Sequence, residues 1–135
     1  MKKFIKLIFL GMVFFSVVDA TERDIELNSL FKKLKNSEIA EAQKIEKKIV
    51  EIWSTHPSND RKGHRLTSLM AQGSFLLAKK ELYKAHEIFS QIILADSNWA
   101  EAWNKRATVL YFLGRYEESQ NDINKVLQLE RGHFG

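Results

Sequence analysis

The chain has 135 residues, a formal net charge of +4 and no cysteine. The absence of cysteine excludes disulfides, thiolate metal sites, a cysteine nucleophile and a lipid anchor attached to cysteine. Residues 1–20 hold three lysines and one aspartate, so the remaining residues carry a formal charge of only +2, which does not predict a nucleic-acid partner.

The first twenty residues have the composition of a secretory signal peptide. Residues 1–6 are rich in lysine, residues 7–18 are mainly apolar, and residues 18–20 offer a cleavage site after Ala20. Because about 20 apolar residues are needed to cross a bilayer, we expect cleavage, and the alternative is an uncleaved N-terminal anchor. The sequence therefore predicts an exported protein, periplasmic or secreted, with no stable membrane insertion after cleavage.

The rest of the chain is predicted to be all-α. Helix-forming residues dominate, Pro57 is the single proline, and apolar residues recur at intervals of three and four. Residues 21–55 are predicted to form a helical hairpin whose two apolar stripes include Leu30 and Ile45. A break at Asn36 and Ser37 separates its helices, and Ser37 is predicted to cap the second one.

Residues 56–65 are predicted to be a linker loop, because they contain Pro57, Gly63 and no large apolar side chain. The loop also contains His56 and His64 among basic residues, which raises the alternative of a metal or phosphate site. Two histidines without a third ligand at a defined spacing are a weak metal signal, and basic loops are usually solvated. We therefore predict no metal site and no cofactor.

The second half of the chain repeats one pattern of large and small residues after 34 positions. Leu69, Gly73, Leu76, Ala85 and Phe89 are followed in the same order by Trp103, Ala107, Leu110, Ser119 and Ile123. Small residues let two helices cross closely, and the large residues fill the space around the crossing. This pattern resembles the tetratricopeptide repeat (TPR), a helix-turn-helix unit that stacks into a solenoid.

The resemblance implies an all-α, TPR-like α-solenoid of antiparallel helix hairpins. Its first unit would span residues 66–99, its second unit residues 100–133, and residues 134–135 would begin a missing third unit. Residues 21–55 do not match the repeat pattern, so they are interpreted as a degenerate repeat or an N-terminal cap.

The two predicted units differ at their turns and in one core position. Gly114 stands where the first helix of the second unit must end in a left-handed residue. Lys80 stands at the equivalent position of the first unit, where a left-handed non-glycine residue costs about 1 kcal/mol. Asn98, three residues before Glu101, resembles a capping box. The usual leucine before the small residue is replaced by Gln72 in the first unit and by Arg106 in the second.

In proteins of this family, the first helix of each unit lines a concave groove that holds a peptide or a partner's helix. The resemblance implies a groove lined by Thr67, Met70, Ser74, Leu77 and Ala78, and then by Glu101, Asn104, Thr108, Tyr111 and Phe112. The amide of Asn104 can both donate to and accept from a peptide backbone, and Tyr111 and Phe112 add aromatic area of the kind that anchors interfaces.

A less specific interpretation of the same residues stays open. Glu101, Asn104 and Thr108 would then be ordinary solvated surface, while Leu77 and Phe112 would pack internally. The lysine-and-asparagine clamp with which some members of the family hold a terminal carboxylate is not recognisable in this sequence.

No motif predicts catalysis. The four histidines are scattered, and the chain has no paired-histidine helix motif, glycine-rich phosphate loop or nucleophile elbow. His86 is expected on an exposed helix face. The sequence therefore predicts a non-enzymatic scaffold of the cell envelope that binds a protein or peptide.

An alternative function is structural. The chain would then be a self-assembling module, or a fragment of a longer array, without a peptide ligand of its own. Ile123, Val126 and Leu127 are predicted to form an uncapped apolar face at the C-terminal end, through which copies could associate.

Overall fold

The computed structural model describes residues 22–131, with only the backbone described at Arg131, and its regular structure over this range is entirely helical. Helix α1 covers residues 22–35, and it is followed by α2 (Ile39–Ser54), α3 (Arg61–Ala78), α4 (Leu82–Ala95), α5 (Ala100–Phe112) and α6 (Tyr116–Arg131). The all-α prediction is therefore confirmed for this part of the chain. The predicted signal peptide (1–20) and the predicted start of a third unit (134–135) lie outside it.

Within residues 22–131, every helix is too short or too polar to pass through a lipid bilayer. The chain divides into two compact units, the first ending at Trp53 and the second beginning at Ser54.

In the first unit, α1 and α2 form an antiparallel hairpin. Leu30, Ile45 and Ile49 are buried between the two helices. Near the open end of the hairpin, the Arg23 guanidinium donates a hydrogen bond to the backbone carbonyl of Ile52 over 2.9 Å. This contact pairs the start of α1 with the end of α2, as an antiparallel hairpin requires.

The predicted capping role of Ser37 is wrong. Its hydroxyl donates to the backbone carbonyl of Leu34 over 3.1 Å, and so it closes the end of α1 rather than the start of α2. Helix α2 begins at Ile39, and its first turn is bonded to the carbonyl of Glu38 instead. Ser37 is therefore one residue too early to serve as the cap.

The predicted linker of residues 56–65 is only half as long in the structure, because α3 begins at Arg61 rather than near Leu66. Asp60 is the N-cap of α3, and its carboxylate accepts a 2.7 Å hydrogen bond from the backbone N–H of Gly63. This hydrogen bond is the main cause of a lowered pKa at Asp60. Gly63 and its basic neighbours therefore form the first turn of a capped helix.

The remaining loop is held by His56, which is buried. Its Nε2 lies 2.8 Å from the carboxylate of Asp96, its Nδ1 accepts from the backbone N–H of Ser58 over 3.0 Å, and its own backbone N–H donates to the Thr67 hydroxyl over 2.9 Å. Its ring also packs edge-on against Trp99, with 5.0 Å between centroids. His56 thus joins this loop to the segment between α4 and α5.

In the second unit, the predicted small residues lie at the helix crossings. Gly73 of α3 is buried, and a Cβ added to it would lie 2.6 Å from Cε1 of Phe89 in α4. In the next hairpin, the buried hydroxyl of Ser119 donates to the backbone carbonyl of Ala107 over 2.8 Å. The prediction that small residues allow each pair of helices to approach closely is confirmed.

One apolar core extends across α3, α4 and α5. Its buried members are Leu66, Met70, Ala85, Phe89, Ile92, Ile93, Trp99, Ala102 and Val109. Because α5 contributes to the same core as α3 and α4, the two hairpins of this unit pack side by side and bury apolar faces that one hairpin alone would leave in water.

Both hairpins of the second unit turn in the same way. Gly114 has a φ of 76° and Lys80 a φ of 62°, so both residues are left-handed. In each turn the next backbone N–H bonds back to the carbonyl five residues earlier, from Glu81 to Leu76 and from Arg115 to Leu110, each over 2.9 Å. These are Schellman turns, and the predicted cost of about 1 kcal/mol applies at Lys80.

The predicted capping box at Asn98 is wrong. Helix α5 begins at Ala100, its N-cap is Trp99, and no side chain caps it. The Asp96 carboxylate accepts from the backbone N–H of Asn98 over 3.0 Å, which places Asn98 in a turn before the helix. Glu101 accepts instead from the Asn104 amide over 3.2 Å.

A partly buried ion pair joins α5 to α6. The guanidinium of Arg106 makes two hydrogen bonds to the carboxylate of Asp122, at 2.7 and 2.8 Å, and a third to the hydroxyl of Ser90 in α4 at 3.2 Å. Asp122 is buried. The residue that departs from the usual leucine of the repeat therefore links three helices through charge-assisted bonds.

His86 of α4 is half-buried rather than exposed, which corrects the sequence-based expectation. Burial lowers the pKa of His86, and the positive charges of Arg115 and Arg106 lower it further. The imidazole is therefore partly packed within the second unit, and this environment disfavours its protonated form.

Candidate partner-binding surface

One face of α5 is open to solvent. Asn104, Thr108, Tyr111 and Phe112 are all exposed, whereas Ala102, Ala107, Val109 and Leu110 on the other side are buried. The exposed residues are spaced by four, three and one, so they form a single stripe along the helix. We call these four residues the α5 stripe.

The polar half of the α5 stripe is partly ordered by its neighbours. The Asn104 amide donates to Glu101, and the Glu101 carboxylate also lies 3.5 Å from the ammonium group of Lys105. The Glu101 side chain is largely buried, so it supports Asn104 rather than offering surface to a partner. Only one donor of the exposed Asn104 amide is used by this bond, which leaves the side chain capacity for backbone hydrogen bonds.

The aromatic half of the α5 stripe continues onto α6. Tyr111 and Phe112 are 60% and 50% exposed, and Tyr116, the first residue of α6, is 62% exposed. The Tyr111 ring lies 6.1 Å from that of Phe112 and 5.3 Å from that of Tyr116, in edge-to-face arrangements. Phe112 therefore does not pack internally, as the less specific interpretation required.

Lys80 brings a positive charge to these rings. Its ammonium nitrogen lies 4.1 Å from the centroid of Phe112, within the range of a cation–π contact. Sequence reasoning did not include Lys80 or Tyr116 in the site. The predicted turns could have indicated both residues, because residues in and next to a tight turn lie at the same end of a hairpin.

The groove positions predicted on α3 differ from one another in exposure. Met70 is a correction, because it has no exposed surface and belongs to the core that includes Trp99 and Ala102. The hydroxyl of Thr67 accepts from the backbone N–H of His56. Since the start of α5 covers this side of α3, the equivalent positions of the two helices have different environments.

The other predicted groove positions of α3 are less enclosed. Ser74 and Leu77 are half-buried, with Leu77 packed against the core, and Ala78 is exposed. The open surface of the site is therefore contributed mainly by α5, and α3 contributes only its C-terminal half.

A second exposed apolar surface lies on α6. Ile123 and Leu127 are exposed and Val126 is half-buried, so the face suggested for self-association is accessible on α6. Between residues 22 and 131, no three histidine, aspartate or glutamate side chains lie close enough together to hold a metal ion.

Comparisons with known proteins identify a repeat in this part of the chain. The family profile of the tetratricopeptide repeat matches residues 100–133, which include α5 and α6. The chain is 31% identical over 110 residues to a TPR repeat-containing protein of Rhizobium etli, and the matched region covers 81% of this chain and 52% of that protein. The chain thus spans about half the length of the curated relative it matches.

No solved structure matches the chain significantly. The family profile identifies the repeat, and the helix pair of α5 and α6 is consistent with it. Residues 100–133 contain a tetratricopeptide repeat, whose two helices are α5 and α6.

Proposed function

We propose that this protein is a non-catalytic scaffold whose α5 stripe binds a peptide or a helix of a protein partner. TPR repeats generally mediate contacts between proteins, and nothing in the comparisons points to catalysis. We further propose that residues 66–99 are a first repeat unit, which is supported by its equivalent Schellman turn and its small residue at the helix crossing.

The observation that carries this proposal is the one-sided exposure of α5. An amide, a hydroxyl and two aromatic rings lie on one exposed face of the helix, while Ala102, Ala107, Val109 and Leu110 of the same helix are buried. Amides pair with an extended backbone, and aromatic rings supply most of the affinity in many interfaces. Met70, which the sequence suggested as a groove residue, is not part of the proposed site because it is buried.

The binding proposal can be tested by site-specific photocrosslinking. Thr108 is exposed, so a photoreactive phenylalanine at this position is expected to crosslink a partner from an envelope extract while the fold is kept. The same group at the exposed position Gln128 on α6 is the matched control and should capture none of that partner. Replacing both Asn104 and Tyr111 by alanine is expected to weaken capture about tenfold or more, because anchor side chains typically contribute about 2 kcal/mol or more.

Equal crosslinking from both positions would contradict the proposal, as would capture that survives the double alanine variant. The melting temperature of that variant should stay close to the wild-type value, because both side chains lie on the surface. An unchanged melting temperature separates lost binding from lost folding.

The exposed face of α6 supports a second candidate function, in which copies of the chain assemble. Replacing Leu127 by glutamine would then lower the native mass while leaving capture at Thr108 unchanged. A native mass that is the same before and after the substitution would exclude association through this face.

We also propose that the protein is exported. The support is the lysine-rich start, the apolar segment and the cleavage site in residues 1–20. The mature protein purified from its own cells is expected to begin at Thr21. An intact N-terminal segment in an envelope fraction would favour the anchored alternative, and an intact chain in the cytoplasm would contradict export.

A further inference from the structure

Lys80 has a backbone conformation that its side chain disfavours. The turn between α5 and α6 has the same hydrogen bonds and uses Gly114, which adopts a positive φ without steric conflict. The turn at Gly114 can therefore be compared directly with the turn at Lys80. Glycine would also satisfy the turn after α3, and lysine is present there against the local preference.

The Lys80 side chain lies at the edge of the proposed binding surface. Its ammonium group lies over the ring of Phe112. The exposed ring of Tyr111 contacts both Phe112 and the exposed ring of Tyr116. We call these four residues the aromatic corner. A cation over a solvent-exposed ring is only weakly favourable, so this contact alone is a poor explanation for the strained residue.

The charges around the aromatic corner favour one kind of partner. Lys79 and Lys80 are two adjacent cations that follow the end of α3. Next to the two turns, Glu81 pairs with Lys84 and Glu118 pairs with Arg115, whereas Glu117 forms no ion pair among the described residues. Among the residues described, neither Lys79 nor Lys80 forms an ion pair with a carboxylate, and both have an aromatic ring beneath the ammonium group.

We infer that the aromatic corner binds an acidic segment of the partner protein, with a carboxylate at Lys80 and an apolar side chain on the rings of Tyr111 and Phe112. This inference rests on the proposed function, because the corner continues the α5 stripe at its C-terminal end. Lys80 supplies the charge complementarity, and the exposed rings supply the apolar contact.

Fluorescence anisotropy with two labelled ten-residue peptides tests this inference on the full chain. One peptide alternates glutamate with leucine, and the other alternates glutamine with leucine. The wild-type protein is expected to bind the glutamate peptide about fivefold or more tightly than the glutamine peptide. Lys80→Gly should remove most of this preference, and Phe112→Ser should weaken the binding of both peptides.

Lys84→Ala is the matched control, because it removes the same charge from a residue that is paired with Glu81 and lies outside the corner. It should leave the preference for glutamate within about twofold of the wild-type value. Lys80→Gly should also raise the melting temperature by a few degrees, since it relieves the left-handed strain. Weaker binding together with higher stability would exclude unfolding as the cause.

Equal affinity for the two peptides would overturn the inference. An equal loss of the preference for glutamate in the Lys80 and Lys84 variants would also overturn it, because the preference would then come from general electrostatic attraction. Tighter binding of a labelled single-stranded oligonucleotide than of the glutamate peptide would replace the acidic protein segment with nucleic acid. If the partner crosslinked at position 108 is lost on changing Asn104 and Tyr111 but not Lys80, the scaffold proposal stands and this inference fails.

Discussion

Replacing Arg106 by methionine is expected to lower the free energy of unfolding by about 3 kcal/mol. Asp122 is buried and receives two of the hydrogen bonds of the guanidinium, so the substitution leaves its carboxylate without the partner that offsets its desolvation. The third bond, to Ser90, is lost at the same time. Equilibrium unfolding in urea, followed by circular dichroism, measures the loss.

The matched variant for this experiment replaces both members of the pair, Arg106 by methionine and Asp122 by leucine. No buried charge then remains, and apolar packing takes the place of the pair, so most of the stability should return. The cost is thus expected to come from the isolated carboxylate, and the two substitutions should be strongly non-additive. A single Arg106 variant as stable as the wild type, or a double variant as unstable as the sum of the singles, would contradict this account.

Replacing Gly63 by alanine is expected to destabilise the protein by about 2 kcal/mol or more. Gly63 lies in the first turn of α3, and a Cβ at this position would lie 1.7 Å from the backbone carbonyl oxygen of Ser58. A backbone atom cannot rotate away as a side chain can. The loop before α3 would have to move, and the bonds made by His56 and Asp60 would be disturbed.

The sign of the Gly63 effect makes it a sharp test. Alanine is favoured over glycine inside a helix by about 1 kcal/mol, so propensity alone predicts a gain in stability. His64→Ala is the control, because the neighbouring side chain is exposed in the same helical turn and its removal should change stability little. Thermal unfolding of both variants decides the matter, and a stabilised Gly63 variant would show that the loop is not fixed as described.

The sequence was sufficient for features that depend on local rules. Helical spacing predicted the hairpins, the order of small and large residues predicted the crossings at Gly73 and Ser119, and the turn chemistry predicted the left-handed Gly114. Each of these features follows from residues that are close in the chain or from the 34-residue repeat, so one sequence carries enough information to find it.

The features that were missed depend on contacts between distant residues. The linker looked solvated because its partner at Asp96 lies 40 positions from His56. The repeat pattern marks Arg106 only as a departure, because its partner Asp122 lies 16 positions away in the next helix. The repeat pattern predicts Met70 in the groove, because helical spacing identifies a face of the helix but not the neighbour that covers it.

The aromatic corner was half predicted. Tyr111 and Phe112 were recognised as surface aromatics from their positions in the repeat. For Lys80 the sequence predicts only the energetic cost of a left-handed residue, and it does not indicate that Tyr116 belongs to the site. The structure adds the reason to take them together, since residues from two helices, α5 and α6, and from the turn after α3 lie at one end of the unit.

The link between His56 and Asp96 has a consequence for the way this small array opens. In a simple stack of hairpins, the outermost hairpin can peel away first, because it touches only one neighbour. Here the segment that leads into α3 is fastened to the joint between the two hairpins. Detaching α3 from α4 would break that bond as well as the apolar packing, so we expect these two helices to open together and not α3 alone.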